Sequence, residues 1–449
     1  MKTRMNFWLL ALMICTFVSC ADNANFEPEE QAQEREQLRE KLSHEVTQAE
    51  ARVKLEKMLP NLKLPSTRGG DTNSLPPITS VYTTGKAAVA TRAGEEVEPY
   101  FHIFNFGDNE GFAIMSGDDR VEPLLALTFK GELTPETEID NPGFEIAYSR
   151  MEEYYVQKVS EESLDESSIL PPTIDPIPYP TFDTTVINYV MPFGHCLVQW
   201  GQDFPYNKYC TVQPGNINVY TGCARVAVAQ LMSIYKYPNS YTNPLYNYTT
   251  YYFDWNEMNR YTSNDELLNP YVADSTKYNQ IARLMQQMGT SNNLNVTYDI
   301  YHLDEPGSSH PDNIPRALEN FGYTNGGERV SYETSVVVDE LMSGYPILIG
   351  GSDNSNGNPK HRWLGHGLMK VVITPIYPDS YHGVIMLPTV TNYYILCNWG
   401  WNGRYDGYYL SEAFDTYSGP DYPYNPTRSG VVDAGNYQYN IDVIINIRK

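Results

Sequence analysis

One apolar stretch near the middle of the chain limits the possible folds most strongly. The fourteen residues after Gly222 read Cys-Ala-Arg-Val-Ala-Val-Ala-Gln-Leu-Met-Ser-Ile-Tyr-Lys, and no helix breaker follows until Pro238. A helix that is apolar nearly all round must be buried, so we expect a central helix that begins at Cys223. The unpaired N–H groups and the dipole at a helix N-terminus stabilise a thiolate, which predicts a reactive Cys223 with a lowered pKa. An inert buried cysteine is the alternative.

The charge balance and the missing motifs exclude several classes of protein. The 449 residues carry a formal net charge of −24, and residues 1–190 hold two thirds of it. Phosphate backbones would repel such a chain, so we expect no nucleic-acid partner. The sequence contains no GxSxG, GxxxxGK[ST], HExxH or CxxC pattern, which argues against serine hydrolases, nucleotide sites and zinc sites. We expect no metal or organic cofactor. Cys196, Cys210 and Cys397 allow at most one disulfide among them.

The chain begins with an export signal. Two basic residues precede a twelve-residue apolar run, 7–18, which is too short to span a bilayer. Residues 17–20, Phe-Val-Ser-Cys, resemble a bacterial lipobox, so we interpret 1–20 as a lipoprotein-type signal peptide. Lipid on Cys20 would then be the only membrane contact, and an ordinary signal peptide cut near Ala21 is the alternative. Either case predicts an extracytoplasmic protein, at the outer membrane or cell surface or secreted.

An acidic, proline-rich segment divides the rest of the chain. Residues 161–190 combine acids, serines and prolines that cannot bury enough apolar surface to order, so we interpret them as an activation linker. The preceding segment, 21–160, has periodicity for a helix over 28–59, a mobile loop over 66–99, a β-hairpin over 101–115 and a helix over 142–158. The following segment, 191–449, suits one enzyme-sized domain.

A thiolate nucleophile needs a general base, which is usually histidine. Four of the five histidines after Cys223 lie in polar sequence: His302, His310, His361 and His382. Only His366 lies between two glycines at the start of a β-type apolar run, although a structural histidine is an equal alternative. Further on, Asn398 could fix the tautomer of an imidazole, and Trp399 could shield their hydrogen bond from water. An aromatic turn within a sheet is the alternative for that motif.

The order Cys, His, Asn and the surrounding residues resemble the streptopain-type cysteine peptidases, which are bacterial proenzymes with a papain-like catalytic domain. Residues 221–238 resemble the segment around the family's cysteine, and Gly365-His366 and Asn398-Trp399 resemble those around its histidine and asparagine. Trp200-Gly201-Gln202 resembles the segment that carries the oxyanion-hole glutamine. Upstream, 104–120 is similar to the family's inhibitory prosegment. The chain departs from the family pattern after His366, where Gly367 replaces the usual alanine and a longer hairpin is predicted.

The resemblance implies an α+β fold. A papain-like catalytic domain of two subdomains, a helical part with a central Cys-bearing helix and an antiparallel sheet part, would follow an α+β inhibitory prosegment. It also implies a cysteine endopeptidase that acts on protein or peptide substrates and is inhibited by its own prosegment, with Cys223, His366, Asn398, Gln202 and Trp399 in the site. Two alternatives remain: a cell-wall amidase or acyltransferase with the same triad, and a non-catalytic surface binding lipoprotein.

Overall fold

An antiparallel sheet organises the part of the chain that the structure describes. The computed structural model describes residues 44–59, 77–85, 100–166, 181–189, 196–213, 215–260, 262–263, 267–268, 275–299, 301–303, 306–351, 361–379, 383–386, 389–416 and 441–449. His44–Lys449 is one compact unit. The predicted signal peptide, its Cys20 and the first part of the predicted N-terminal helix, 28–43, lie outside the described residues.

The N-terminal part contains two helices and four strands. The helices are α1, Gln48–Met58, and α2, Pro142–Glu166; the strands are β1, Ile78–Thr83, β2, Phe101–Phe106, β3, Phe112–Ser116, and β4, Leu124–Thr128. A capping box begins α1, because the Thr47 side chain accepts from the Glu50 N–H and the Glu50 carboxylate accepts from the Thr47 N–H. The β2–β3 hairpin and the α2 helix confirm the predicted hairpin and the predicted helix at 142–158, which continues to Glu166.

The C-terminal part contributes the remaining elements. Its helices are α3, Cys223–Tyr235, α4, Trp255–Met258, α5, Ser275–Met288, α6, Asn313–Asn320, and α7, Thr334–Met342. Its strands are β5, Thr181–Tyr189, β6, Thr211–Val212, β7, Ile217–Asn218, β8, Ser240–Asn243, β9, Thr249–Tyr252, β10, Asn325–Ser331, β11, Ile347–Gly351, β12, His361–Asp379, β13, Gly383–Met386, β14, Val390–Asn398, β15, Gly407–Leu410, and β16, Asp442–Arg448.

One sheet joins the two parts of the chain. Its strand order is β1-β2-β3-β4-β15-β14-β12-β11-β16-β10, with β5 and β13 also paired to β12. The two parts meet where β4 pairs with β15, and Gly407 lies opposite Thr128 at that point. A Cβ at position 407 would come within 2.3 Å of the Leu127 carbonyl oxygen, so the close approach requires glycine. The predicted α+β class is confirmed.

Two hydrophobic cores lie on opposite faces of this sheet. One contains the apolar residues of the N-terminal part together with two tryptophans of the C-terminal part. These are Trp363 of β12 and Trp399, in the turn after β14. The other surrounds α3, whose residues from Arg225 to Tyr235 are all buried, and includes Leu364. The predicted central helix that begins at Cys223 is therefore confirmed. Because side chains alternate along a strand, neighbouring residues of β12 contribute to different cores.

Three expectations about loops are wrong in part. The loop predicted over 66–99 contains β1, which pairs with β2. The linker predicted over 161–190 is helical at 161–166 and forms β5 at 181–189, whereas 167–180 lies outside the described residues. The polar sequence around His361, which we expected to be a loop, forms the start of β12. His366 therefore lies inside that strand and not at its start. The extended hairpin predicted after His366 is confirmed by the β12–β13 pairing.

Candidate active site

Cys223 is the first residue of α3 and is partly exposed. Gly222 caps the helix with φ 88°, and a Cβ there would lie 2.5 Å from the Gly307 carbonyl oxygen, so this turn requires glycine. Burial raises the pKa of the Cys223 thiol, while the Arg362 N–H and charge and the N–H groups of Ala224 and Cys223 itself oppose that rise. The predicted lowering of this pKa is therefore wrong for the chain in this conformation, because burial outweighs the helix N-terminus.

Gln202 lies close to the nucleophile through the backbone. Its carbonyl oxygen accepts from the Thr221 N–H at 2.9 Å, two residues before Cys223. Its side chain is buried, and among the described residues Oε1 has no hydrogen-bond partner. A buried amide without a partner costs free energy unless it has a function. The side-chain oxygen of Gln202 is thus buried near the start of α3 without a hydrogen-bond partner among the described residues.

His366 is buried in β12, and a backbone group occupies one of its ring nitrogens. Its Nδ1 accepts from the backbone N–H of Cys196 at 3.1 Å, which assigns the proton of a neutral ring to Nε2. The Cys223 thiol has Arg362, four residues earlier on β12, as a neighbour. Because the Cys196 N–H occupies the lone pair of Nδ1, this nitrogen is not available to take the thiol proton in this conformation.

Asn398 ends β14 on the face of the sheet that packs on α3. Its Oδ1 accepts from Gln230 Nε2 at 2.8 Å and from the Gly400 N–H at 3.1 Å. Its Nδ2 donates to the Val198 carbonyl oxygen at 2.9 Å. The residue opposite Asn398 on β12 is Leu364, and a bulge follows before Leu368. In this register Asn398 is therefore paired two residues away from His366.

Trp399 lies on the other face of the sheet. Its indole Nε1 donates to the Tyr405 carbonyl oxygen at 2.8 Å, and its ring packs 5.0 Å from that of Trp363. The side chain is wholly buried in the core shared with the N-terminal part. Trp399 thus packs against that core in this conformation.

Sequence reasoning missed several residues at this site. His361 Nε2 donates to the Trp399 carbonyl oxygen at 2.8 Å, and burial lowers the pKa of His361 to about 4. Arg362 forms a 2.6 Å ion pair with Asp442, which places a buried cation beside Cys223. The alternation His-Arg-Trp-Leu-Gly-His was a signal that the strand begins at 361. The Cys196 backbone contact carries no sequence signal, because any residue except proline could supply that N–H.

The described cysteines form no disulfide, and the possible metal ligands lie in the N-terminal part of the chain. Cys196, Cys210, Cys223 and Cys397 are all free thiols. Among the described residues, one group, His44, Asp118 and Asp119, has ligand atoms close enough to hold a metal ion. Arg120 binds both oxygens of Asp118 at 2.7–2.9 Å, and His44 pairs with Asp119 at 2.6 Å, so protein groups already satisfy this cluster.

Comparison with known proteins assigns the two parts of the chain separately. Residues 200–409 match the Peptidase C10 family, and residues 43–159 match the Spi protease inhibitor family. Together these matches include more than two thirds of the chain. The chain is a cysteine peptidase with a C10-type peptidase region. It carries an inhibitor-type segment ahead of the peptidase region.

Individual relatives are similar to this chain over different shares of its length. Over 352 residues the peptidase is 26% identical to streptopain of Streptococcus pyogenes serotype M1, a match that spans 72% of this chain and 76% of streptopain. It is 29% identical over 150 residues to the thiol protease/hemagglutinin PrtT of Porphyromonas gingivalis, but that match spans 33% of this chain and only 16% of PrtT. A solved fragment of Prevotella intermedia prointerpain A aligns with a TM-score of 0.45 and 19% identity, over 79% of this chain and 97% of the fragment.

The helices of the peptidase do not resemble membrane spans. Within the described residues, none combines the length and the hydropathy that crossing a bilayer requires.

Proposed function

We propose that this peptidase is an extracytoplasmic endopeptidase made as a latent precursor. The observation that carries the proposal is the placement of Cys223 at the N-terminus of a buried helix, with Gln202 bonded through its carbonyl oxygen to Thr221, two residues before the thiol. In the active form, Cys223 would be the nucleophile and His366 the general base. Asn398 would orient the His366 ring, and Trp399 would shield that contact.

The proposed reaction follows acyl-thioester chemistry. His366 takes the thiol proton, and the Cys223 thiolate attacks the scissile carbonyl carbon. The oxyanion accepts hydrogen bonds from Gln202 Nε2 and the Cys223 N–H, an arrangement worth about 10²–10³ in rate per donor. His366 then protonates the leaving amine, and the C–N bond breaks. In the second half, His366 takes a proton from water, whose oxygen attacks the thioester and releases the acid and the thiol.

Latency is explained by how the linker end holds His366. β5 pairs with β12 from Leu368 to Ile376, immediately after His366. Cys196 then donates its N–H to the histidine, and the Val198 carbonyl oxygen accepts from Asn398. The segment 181–198 thus engages β12 and both proposed catalytic partners of Cys223. We propose that cleavage within 167–195 loosens this segment and lets His366 reach Cys223.

Turnover before and after linker cleavage tests both claims. We expect processed wild-type enzyme to hydrolyse casein at least about 100-fold faster than the full-length chain, because His366 is engaged elsewhere before cleavage. A cell-wall peptide fragment serves as the parallel substrate. Cleavage of the cell-wall fragment but not of casein would overturn the endopeptidase assignment. Equal turnover by the full-length and processed forms would overturn the latency.

Export and lipidation form a separate part of the proposal. The signal-like residues 1–20 support export, and the lipobox-like sequence supports lipid on Cys20. Expression in a bacterium with Cys20→Ala should move the protein from the membrane fraction to the soluble extracytoplasmic fraction. Unchanged membrane association of that variant would contradict lipid anchoring.

The contact between the inhibitor-type segment and the peptidase region should weaken as the pH rises. Glu412, after β15, lies near Glu122 of the N-terminal part, and each has a buried Oε2 without a partner among the described residues. Burial, Glu122 and Asp415 raise the pKa of Glu412 to about 8. A carboxyl whose pKa is higher in the folded than in the unfolded chain stabilises the fold at low pH, where it is protonated. As the pH rises from the unfolded pKa of Glu412, about 4.5, to its folded pKa, about 8, the free energy of unfolding falls by about 1.4 kcal/mol per pH unit.

Replacing this carboxyl by an amide measures the effect. We expect Glu412→Gln in the full-length chain to unfold at a higher denaturant concentration than wild type at pH 8.5, with a much smaller difference at pH 5.5. Glu257→Gln is the matched control, because the Glu257 side chain is 39% exposed and its ion pair with Arg260, at 3.6 Å, lies at the surface. A Glu412→Gln difference that is the same at both pH values would contradict this assignment.

A further inference from the structure

One polar side chain interrupts the otherwise apolar centre of α3. Gln230 is wholly buried and lies seven residues after Cys223. Seven residues are close to two turns of helix, so both side chains point from the same face of α3 toward the sheet. Burying an amide in an apolar helix costs free energy, which its hydrogen bonds must offset. Packing alone therefore does not explain why a glutamine lies at position 230.

The hydrogen bonds of Gln230 connect α3 to the end of β14. Its Nε2 donates to Asn398 Oδ1 at 2.8 Å and to the Trp200 carbonyl oxygen at 3.3 Å. Its Oε1 is buried and has no hydrogen-bond partner among the described residues. Gln230 thus uses both of its donors, one of them on the residue proposed to orient the histidine. The unused acceptor is an independent sign that this amide is kept for more than stability.

The donors around Asn398 decide which way its amide points. Two donors, Gln230 Nε2 and the Gly400 N–H, face one end of the amide, so that end must be the oxygen. The other end of the amide lies against the Val198 carbonyl oxygen, which can only accept a hydrogen bond. That end must therefore be the NH₂ group. Without Gln230, one of the two donors that hold the oxygen toward α3 is lost, and only the Gly400 N–H and the Val198 carbonyl oxygen still oppose a turn of the amide.

From these contacts we propose that Gln230 is a positioning residue of the peptidase. It keeps the carbonyl oxygen of Asn398 directed toward the face of α3 that carries Cys223, where the N–H of His366 must be accepted once the ring reaches the thiol. This inference rests on the proposed function of Asn398 and His366. It adds a residue that acts through Asn398 and touches neither the substrate nor the thiol.

The substitution Gln230→Glu tests the role with little change of shape. A carboxylate at this position accepts and does not donate, so it attracts the NH₂ end of Asn398 and turns the amide over. We expect kcat for casein-derived peptide hydrolysis by the processed enzyme to fall about 10- to 100-fold with KM within about twofold. The acid limb of the pH profile of kcat/KM should move, because the imidazolium loses its oriented acceptor. Gln230→Leu, which removes the donors, should lower kcat similarly.

A double-mutant cycle separates positioning from general damage. In an Asn398→Ala background, adding Gln230→Glu should lower kcat by less than a further twofold or so, because the side chain through which Gln230 acts is already absent. Gln287→Leu is the matched control. Gln287 is equally buried and accepts from Asn243 at 2.6 Å, far along the chain from this site, so its loss should lower stability and leave kcat and the pH profile unchanged.

The outcomes distinguish this inference from the proposed function. Wild-type kcat in Gln230→Glu, or full additivity with Asn398→Ala, would overturn the role of Gln230 while leaving the Cys223 mechanism in place. If Gln230→Leu fails to mature, the near-isosteric Gln230→Glu still decides the question. Persistent casein cleavage by Cys223→Ala would instead overturn the proposed mechanism, whatever the Gln230 variants do.

Discussion

Replacing Cys223 by alanine should remove casein hydrolysis by the processed enzyme, with a loss of at least about 10⁴-fold in kcat. The thiolate supplies the covalent step, and removing the nucleophile of such a group leaves only binding and oxyanion stabilisation. Initial rates with casein, compared at equal concentrations of processed protein, measure the loss. KM should change little if substrate still binds, because the thiol contributes mainly to the transition state.

A second free cysteine provides the control for this substitution. Cys397 is buried in β14, on the core side of the sheet, and is also a free thiol. Burial raises the pKa of the Cys397 thiol, so it is protonated and unreactive at neutral pH. Cys397→Ala should therefore retain turnover within a few-fold of wild type. Comparable losses in the two variants would show that the effect comes from packing, and full activity of Cys223→Ala would disprove the nucleophile.

Local sequence was sufficient to predict the elements whose stability is local. The apolar run after Gly222 predicts α3 because each residue in it is compatible with helix and its burial follows from its composition. The hairpin at 101–115 was predictable because two alternating runs surround a glycine-containing turn. The same reasoning missed Ile78–Thr83 and Thr181–Tyr189, which were read as loop and linker. Each of these segments is a strand because it pairs with another strand, and the local composition does not show which strand that is.

The residues of the site were predictable, but their arrangement was not. The order of Cys223, His366 and Asn398 identifies candidates for nucleophile, base and orienting group. Their distances depend on the register of β12 against β14, which a bulge alters after Gly365. A bulge adds one residue to one strand without a distinctive sequence, so motif spacing cannot place His366. The long-range pairing of β5 with β12 adds a constraint from a segment that the sequence assigned to a linker.

The contact of His366 with Cys196 leads to a prediction that depends on the form of the protein. In the processed enzyme, His366→Ala should lower kcat by about 10³- to 10⁴-fold, since the thiol loses the base that ionises it. The alkylation of Cys223 by iodoacetamide at pH 7 should slow by a similar order. In the full-length chain the same substitution should leave the alkylation rate unchanged within about twofold, because the Cys196 N–H occupies His366 Nδ1 there and that nitrogen cannot take the thiol proton.

The comparison of the two forms is what makes this measurement decisive. Burial raises the pKa of Cys223 in the full-length chain, so its alkylation should be slow at pH 7 and should increase steeply with pH. Linker cleavage should remove most of that pH dependence in wild type but not in His366→Ala. His310→Ala, at an exposed residue near Asp312, is the control and should behave as wild type in both forms. An equal loss of alkylation in His366→Ala before and after cleavage would mean that the ring already acts on Cys223 in the full-length chain. No loss in either form would mean that the ring never reaches Cys223, and a group such as Arg362, which lies beside the thiol, would then have to stabilise the thiolate.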